Sequence, residues 1–142
     1  DFCALSPRQR AVLLRKFRSL LAAGGRILLD VYSPTMMDAR EETATYAPDL
    51  MDGFWSPERY FGFLDTFKYE RERVLLDKYT IVERDRTRRI HNWLQCFTPE
   101  ALDNEFADCG LQVMERWGDV AGNPYDLGAT EFAVVATQVR DA

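Results

Sequence analysis

The spacing of apolar positions changes repeatedly along this chain, and each change marks an element. Leu13, Leu14, Phe17, Leu20 and Leu21 fall on one helical face, with Arg8, Arg15, Arg18 and Ser19 off it. Ser6 is a good N-cap, Pro7 suits the first helical position, and Gln9 completes a Ser-x-x-Gln capping box. Gly24 and Gly25 stop that helix, because the residue after the last turn often takes a positive φ. Residues 27–31 are a nearly unbroken apolar run, which predicts a strand covered on both faces. A helix feeding straight into such a strand is the second half of a βαβ unit. A parallel partner strand is therefore implied, and none precedes it in these residues.

Between Ser33 and Ser56 the periodicity is lost. Pro34-Thr35 opens a short helix predicted to run through Ala39 toward Thr43, and Pro48 and Gly53 punctuate the stretch beyond it. Strand-like alternation then occupies residues 59–69, 74–83 and 87–97, joined by polar turns at Arg71-Glu72 and Asp85-Arg86 as an antiparallel meander. In the first run Phe61, Phe63, Phe67 and Tyr69 share a face with Asp65 among them. In the third, His91, Trp93, Gln95 and Phe97 share one. Thr98-Pro99-Glu100 repeats the cap-then-proline start, and Leu102, Phe106 and Cys109 form an apolar helix face ended by Gly110. Strands are expected at 111–117 and 132–139, with a Gly/Asn/Pro loop between them. The outer elements read α-β … α-β-β, with the meander inserted in the middle.

Composition narrows the classes. The chain has 142 residues, 46% hydrophobic and 29% charged, as a soluble globular domain does. A formal charge of −5 argues against an electrostatic nucleic-acid binder, and no apolar run approaches the roughly 20 residues of a membrane span. Cys3, Cys96 and Cys109 are an odd number without close spacing, which reads as reduced thiols in a cytoplasmic protein. His91, the only histidine, has no metal-ligand partner at recognisable spacing, so no metal is expected.

Three segments carry a resemblance. Ala22-Ala23-Gly24-Gly25-Arg26-Ile27-Leu28-Leu29-Asp30-Val31 resembles the helix-end "PGG" and apolar strand of class I S-adenosylmethionine-dependent methyltransferases, with Ala23 where proline is usual. Phe97-Thr98-Pro99-Glu100-Ala101-Leu102, followed by Phe106-Ala107-Asp108-Cys109-Gly110-Leu111, resembles the last helix of that family running into its sixth strand. Asp1-Phe2-Cys3-Ala4-Leu5-Ser6 resembles the segment leaving its fourth strand, beside the transferred methyl group. The inserted meander is similar to the active-site cover of small-molecule members, notably deoxysugar N,N-dimethyltransferases.

The resemblance implies an α/β fold, the C-terminal part of a Rossmann-like methyltransferase sheet. Residues 1–33 would hold a helix and strand five, 34–97 the inserted β lid, and 98–142 the last helix and final two strands. It implies S-adenosyl-L-methionine as cofactor and a small molecule as acceptor, with no nucleic acid and no membrane. The family's strand-one glycine loop and ribose-binding acid have no match in this sequence. Gly24-Gly25 follows a helix and precedes a strand, the wrong order for a nucleotide-binding turn. Two expectations result: weak cofactor binding by these residues alone, and self-association or pairing with a complementary N-terminal half through the open edge of the first strand.

Asp1, Phe2 and Cys3 are the cofactor-side candidates, because ligands of open α/β sheets sit at the carboxyl edge. Tyr32 lies on the same edge, and with Trp55, Trp93 and Gln95 it is a candidate for the acceptor side. His91 is a candidate general base, its ordinary pKa near 6.5 being suited to proton removal at neutral pH; a lone strand histidine is more often structural. Asp65 is the other candidate for proton removal, set against an ion pair with an arginine across the sheet. The face of Phe61, Phe63, Phe67 and Tyr69 is read as core in preference to substrate lining, since alternating apolar faces ordinarily are core. The competing function is a non-catalytic module whose aromatic meander forms a ligand cup.

Overall fold

The computed structural model describes residues 1–139, which separate into two compact units, Asp1–Ala39 with the described residues from Gln95 onward, and Arg40–Leu94. The first unit opens on a single 3-10 turn, Phe2–Ala4, capped by the Asp1 carboxylate, which accepts from the Cys3 amide at 3.0 Å. Helix α1 (Pro7–Leu20) comes next, with the complete capping box between Ser6 and Gln9. Strand β1 (Ile27–Tyr32) leads into a short helix α2 (Pro34–Asp38). After the second unit, helix α3 (Pro99–Ala107) is capped by Thr98, and strands β6 (Leu111–Trp117) and β7 (Glu131–Gln138) complete the first unit.

The sheet of this unit has the order β1-β7-β6, with β7 antiparallel to both neighbours. Ile27, Leu29 and Val31 stand opposite Ala136, Val134 and Phe132 on one face. That face packs with Leu14 of α1 and with Leu102 and Phe106 of α3 in one core cluster. Close packing without voids makes such a cluster the main stabilising element of a small unit.

The structure corrects several expectations. Strand β1 is covered on one face rather than two: Leu28 is 53% exposed on the other, and Met114 of β6 is 58% exposed. Its hydrogen-bonded neighbour is the antiparallel β7, and at its other edge an isolated parallel bridge joins Tyr32 to Cys96. Leu20 lies at the exposed end of α1, and the apolar stripe includes instead a charged residue, Arg10, which is 2% exposed. The residues around Thr43 are not helical but begin a strand.

In the second unit the sheet order is β2-β3-β4-β5, all antiparallel where the register is defined, with β2 (Thr43–Pro48), β3 (Phe61–Tyr69), β4 (Val74–Val82) and β5 (Thr87–Gln95). The expected meander is present, with one strand more. β2 gives no signal in the sequence because its residues are mostly exposed and show no inside–outside alternation. Its register, Thr45 opposite Leu64 and Tyr46 opposite Phe63, is supplied by β3.

The inner face of this sheet carries Leu64, Tyr79 and Ile81, and a loop closes over it through Leu50, Trp55 and Tyr60. The Tyr60 hydroxyl donates to the Leu50 carbonyl, and the Tyr60 carbonyl accepts from the Asp49 amide at 2.9 Å. Gly62 allows that closure, since a Cβ there would lie 2.8 Å from Leu50 Cδ2. The face of Phe61, Phe63, Phe67 and Tyr69 is therefore not the core. It is the outer face, with those rings 39 to 55% exposed. The alternation is as expected, and its inside lies on the opposite side.

Candidate functional site

At the carboxyl end of β1 the first unit contains a pocket of about 280 Å³, lined by Asp1, Phe2 and Cys3, by Asp30, Val31 and Tyr32, and by Glu131. Strand β1 delivers Tyr32 to this edge, and β7 delivers Glu131 because the two residues are register partners. The 3-10 turn brings Cys3 against the strand, where its sulfur accepts from the Tyr32 amide at 3.3 Å. The Tyr32 carbonyl accepts from the Phe97 amide at 2.7 Å, which fixes the start of α3 beside the same strand end.

The pocket wall is held by a buried ion pair that was not among the sequence candidates. Arg10 reaches inward and makes two hydrogen bonds to the Glu105 carboxylate, at 2.8 and 2.6 Å, and a third to the Leu5 carbonyl at 2.5 Å. Its guanidinium lies 4.9 Å from the Phe97 ring centroid and 5.8 Å from that of Phe2. A forked, fully engaged guanidinium under two aromatic rings tolerates burial, where a lysine would not present the same planar fork. The signal was present: Arg10 precedes Leu14 and Phe17 at helical spacing, so a charge stood within the apolar stripe.

Three carboxylates, those of Asp1, Asp30 and Glu131, line the pocket, with no lysine or arginine among the lining residues. Such a mouth favours a positively charged group and repels anions. Burial pushes the Cys3 thiol up to about 11, the largest influence, partly offset by the Tyr32 amide. Cys3 therefore stays a protonated thiol at neutral pH and serves packing, not nucleophilic attack. Asp30 and Glu131 were absent from the candidates; Asp30 was legible as the polar residue inside an apolar strand, whereas Glu131 came to the site only through the β1–β7 pairing.

Of the sequence candidates, Asp1, Phe2, Cys3 and Tyr32 meet in this pocket. Gln95 belongs to the same unit and donates to the carbonyl of Cys96, the residue bridged to Tyr32. Asp65, His91, Trp93 and Trp55 belong to the other unit. Asp65 pairs across the sheet with Lys78 at 3.0 Å, a lysine where an arginine was expected. Trp93 is 45% exposed against Tyr69, with centroids 5.6 Å apart, and His91 is exposed on the same strand. Trp55 sits in the inner cluster, in contact with the Tyr79 ring at 4.8 Å.

The second unit has polar structure of its own. Asp77, 4% exposed, accepts from Arg40 and from the Thr66 hydroxyl, each at 2.7 Å. Glu83 binds Arg86 at 2.5 Å and Arg88 at 3.1 Å, and the Arg86 hydrogen bond holds its carboxyl at about 2, well below the ordinary range. The sign-alternating charges of this region are thus cross-linked locally. Among the described residues no group of three or more His, Cys, Asp or Glu side chains is arranged to hold a metal ion, and no helix is long and apolar enough to cross a membrane.

No protein-family model matches the chain, and no curated protein matches it. Solved structures do. The CcbJ methyltransferase from Streptomyces caelestis is similar over 96% of this chain and 56% of its own, with a TM-score of 0.65 and 18% identity. An S-adenosylmethionine-dependent methyltransferase from Clostridium acetobutylicum is similar over 97% and 55%, with a TM-score of 0.69 and 6% identity. The sugar N-methyltransferase KedS8 from Streptoalloteichus is similar over 94% and 51%, with a TM-score of 0.52 and 18% identity. The fold is therefore a methyltransferase fold, and the chain spans about half the length of the structures it matches.

Proposed function

We propose that this chain is the C-terminal half of an S-adenosyl-L-methionine-dependent methyltransferase acting on a small molecule, and that its pocket at the end of β1 forms one wall of the methyl-transfer site. The observation that carries the reading is the meeting of Asp1, Phe2, Cys3 and Tyr32 at the carboxyl end of the strand, in a fold shared over about half the length of solved methyltransferases. Ligands of open α/β sheets sit at that edge.

The cofactor supplies a methyl group on a positively charged sulfur, transferred by direct displacement. The residues here fit one end of such a molecule: three carboxylates face a pocket of about 280 Å³, just below the roughly 300 to 1,000 Å³ of pockets that enclose a whole drug-sized ligand. Asp30 and Glu131 offset positive charge at the transfer site. Phe2, held by Phe97 and Phe106 at centroid distances of 5.8 and 6.3 Å, excludes water from one side. Arg10 and Glu105 hold that wall in place, since displacement demands close alignment of reacting atoms. The remaining cofactor contacts are assigned to residues outside this sequence, and the chain by itself is expected to bind the cofactor weakly.

The test uses the polypeptide as encoded, with any residues that precede Asp1, incubated with radiolabelled S-adenosyl-L-methionine and a panel of small hydroxyl and amine acceptors. Label transfer that falls at least tenfold with Tyr32→Ala or Glu131→Gln supports the assignment. A folded protein for which calorimetry detects no cofactor binding overturns it.

A further inference from the structure

Helix α1 carries the cations Arg8, Arg10, Arg15, Lys16 and Arg18 and no acid, in a chain whose formal charge is −5. Arg10 is buried on Glu105. The others are exposed, and among the described residues none of them makes an ion pair. Along the solvent side of the helix runs an open groove of about 350 Å³, lined by Leu5, Arg8, Gln9, Val12, Leu13 and Lys16. Their spacing is i, i+3, i+4, i+7, i+8, i+11, a helical stripe separate from the inner one of Leu14 and Phe17. Leu5, Val12 and Leu13 form its apolar floor, with Val12 60% exposed. Among the described residues no carboxylate lines it. Of the acids on the neighbouring α3, Glu105 is engaged by Arg10, and Asp108, the cap residue, lies with Arg15 within electrostatic reach of Cys109.

We infer that this groove is a docking site for an acidic amphipathic helix of a partner protein, laid along α1 with its apolar ridge over Val12 and its carboxylates on Arg8 and Lys16. Helix-in-groove recognition uses apolar anchors at successive helical turns, and packed helices seat the ridge of one between the ridges of the other. Long basic side chains spread their methylenes over an apolar strip while their charged ends stay in water. Arg8 and Lys16 therefore widen the floor and frame it with positive charge. Eight residues of helix set them about 12 Å apart, a span that acids seven or eight residues apart on the partner match.

Charge selects the occupant. A second copy of α1, or any basic partner, would set like charges against each other. A lipid surface takes up a helix whose broad apolar face is free to enter it, whereas that face of α1, with Leu14 and Phe17, is committed to the core. The net negative charge of the chain disfavours the phosphate backbone of a nucleic acid. A small molecule with one carboxylate would answer one of the two groove cations and leave the other unpaired. A partner whose acids flank apolar residues at helical spacing answers both. This surface stands independently of the methyl-transfer assignment, since none of its residues lines the pocket at the end of β1.

Fluorescence anisotropy tests it on the polypeptide as encoded, with any residues that precede Asp1. The probe is a labelled, alanine-rich model helix of about 18 residues, long enough to hold helical structure, with leucines at i, i+4, i+7 and i+11 and glutamates on both flanks. Saturable binding tighter than about 100 μM is expected, weakening as salt rises from about 50 to about 300 mM. A probe of the same composition in scrambled order is expected to bind at least tenfold more weakly. Arg8→Glu combined with Lys16→Glu should weaken the acidic probe at least tenfold and accept instead a probe with lysine in place of glutamate, a reversal that loss of fold would not produce. Val12→Asp should also weaken binding, and Arg84→Glu, an exposed residue of the other unit, should leave it unchanged. No saturable binding at about 300 μM overturns the proposal, as it would if the polypeptide's own residues filled the groove. So does equal binding of the scrambled probe, or a folded charge-reversed variant that binds the acidic probe as the parent does. Tighter binding to phosphatidylserine vesicles or to duplex DNA overturns it too, and would assign the face to a membrane or a nucleic acid.

Discussion

The two units use the same kind of strand, apolar on alternate residues, and finish it in opposite ways. In the first, Ile27, Leu29 and Val31 are turned toward α1 and α3, elements adjacent to their strands in sequence, and the result is a closed cluster with Leu14, Leu102 and Phe106 at 0% exposure. In the second no helix is available. A loop covers the face of Leu64, Tyr79 and Ile81, and the richer aromatic face is left outward. Alternation therefore fixes which residues share a side, while the covering element decides which side becomes core.

Each unit also buries an ion pair, and removing one partner from each tests the contrast most strongly. Glu105→Ala strands the Arg10 guanidinium, 2% exposed, inside the first unit; a loss of about 3–5 kcal/mol is expected from an uncompensated buried charge, read from the shift in urea midpoint. A loss under about 1 kcal/mol would mean that water reaches Arg10 and that the wall is not held as described. Asp77→Ala should cost about 2 kcal/mol, because Arg40 can turn to solvent once its partner is gone and only the Thr66 hydroxyl stays unpaired. Equal losses at the two sites would erase the distinction between a sealed unit and an open one.

A pH dependence is expected from the second unit. The Arg86 hydrogen bond holds the Glu83 carboxyl at about 2 in the folded chain. A depressed folded-state pKa contributes stability that is present above the unfolded value, ordinarily about 4.3, and is lost as pH falls toward the folded one. Stability should thus decline between about pH 4.5 and 2, and the Glu83→Gln variant should show a smaller slope across that window. The smallest effect is expected at the outer face. Phe61→Thr should change stability by less than about 0.5 kcal/mol, since that ring is 55% exposed. A loss of about 3 kcal/mol, as for a core phenylalanine, would return that ring to the interior.

Much of this is legible in the chain. The capping box at Ser6 and Gln9, the strand at Leu111–Trp117, the meander and the final strand all arise from local pattern. So does the placing of Asp1, Phe2, Cys3 and Tyr32 at one edge, because a strand's end and the turn beside it are read from the chain itself. The elements that local pattern does not reveal have a common cause. β2 forms only because β3 offers it hydrogen bonds, and Glu131 joins the pocket only because it faces Tyr32 across the sheet.

What the amino-acid order settled alone is therefore the set of elements, their caps, and the two sides of each strand, since these depend on residues within a few positions of one another. What required the tertiary structure is the choice of inner side in the second unit, the engagement of Arg10 by Glu105, and the acidic lining that Glu131 completes. Those depend on pairings between residues far apart in the chain, such as the 95 positions that separate Arg10 from Glu105, and the free energy that selects them comes from burial and ion pairing that no local window contains.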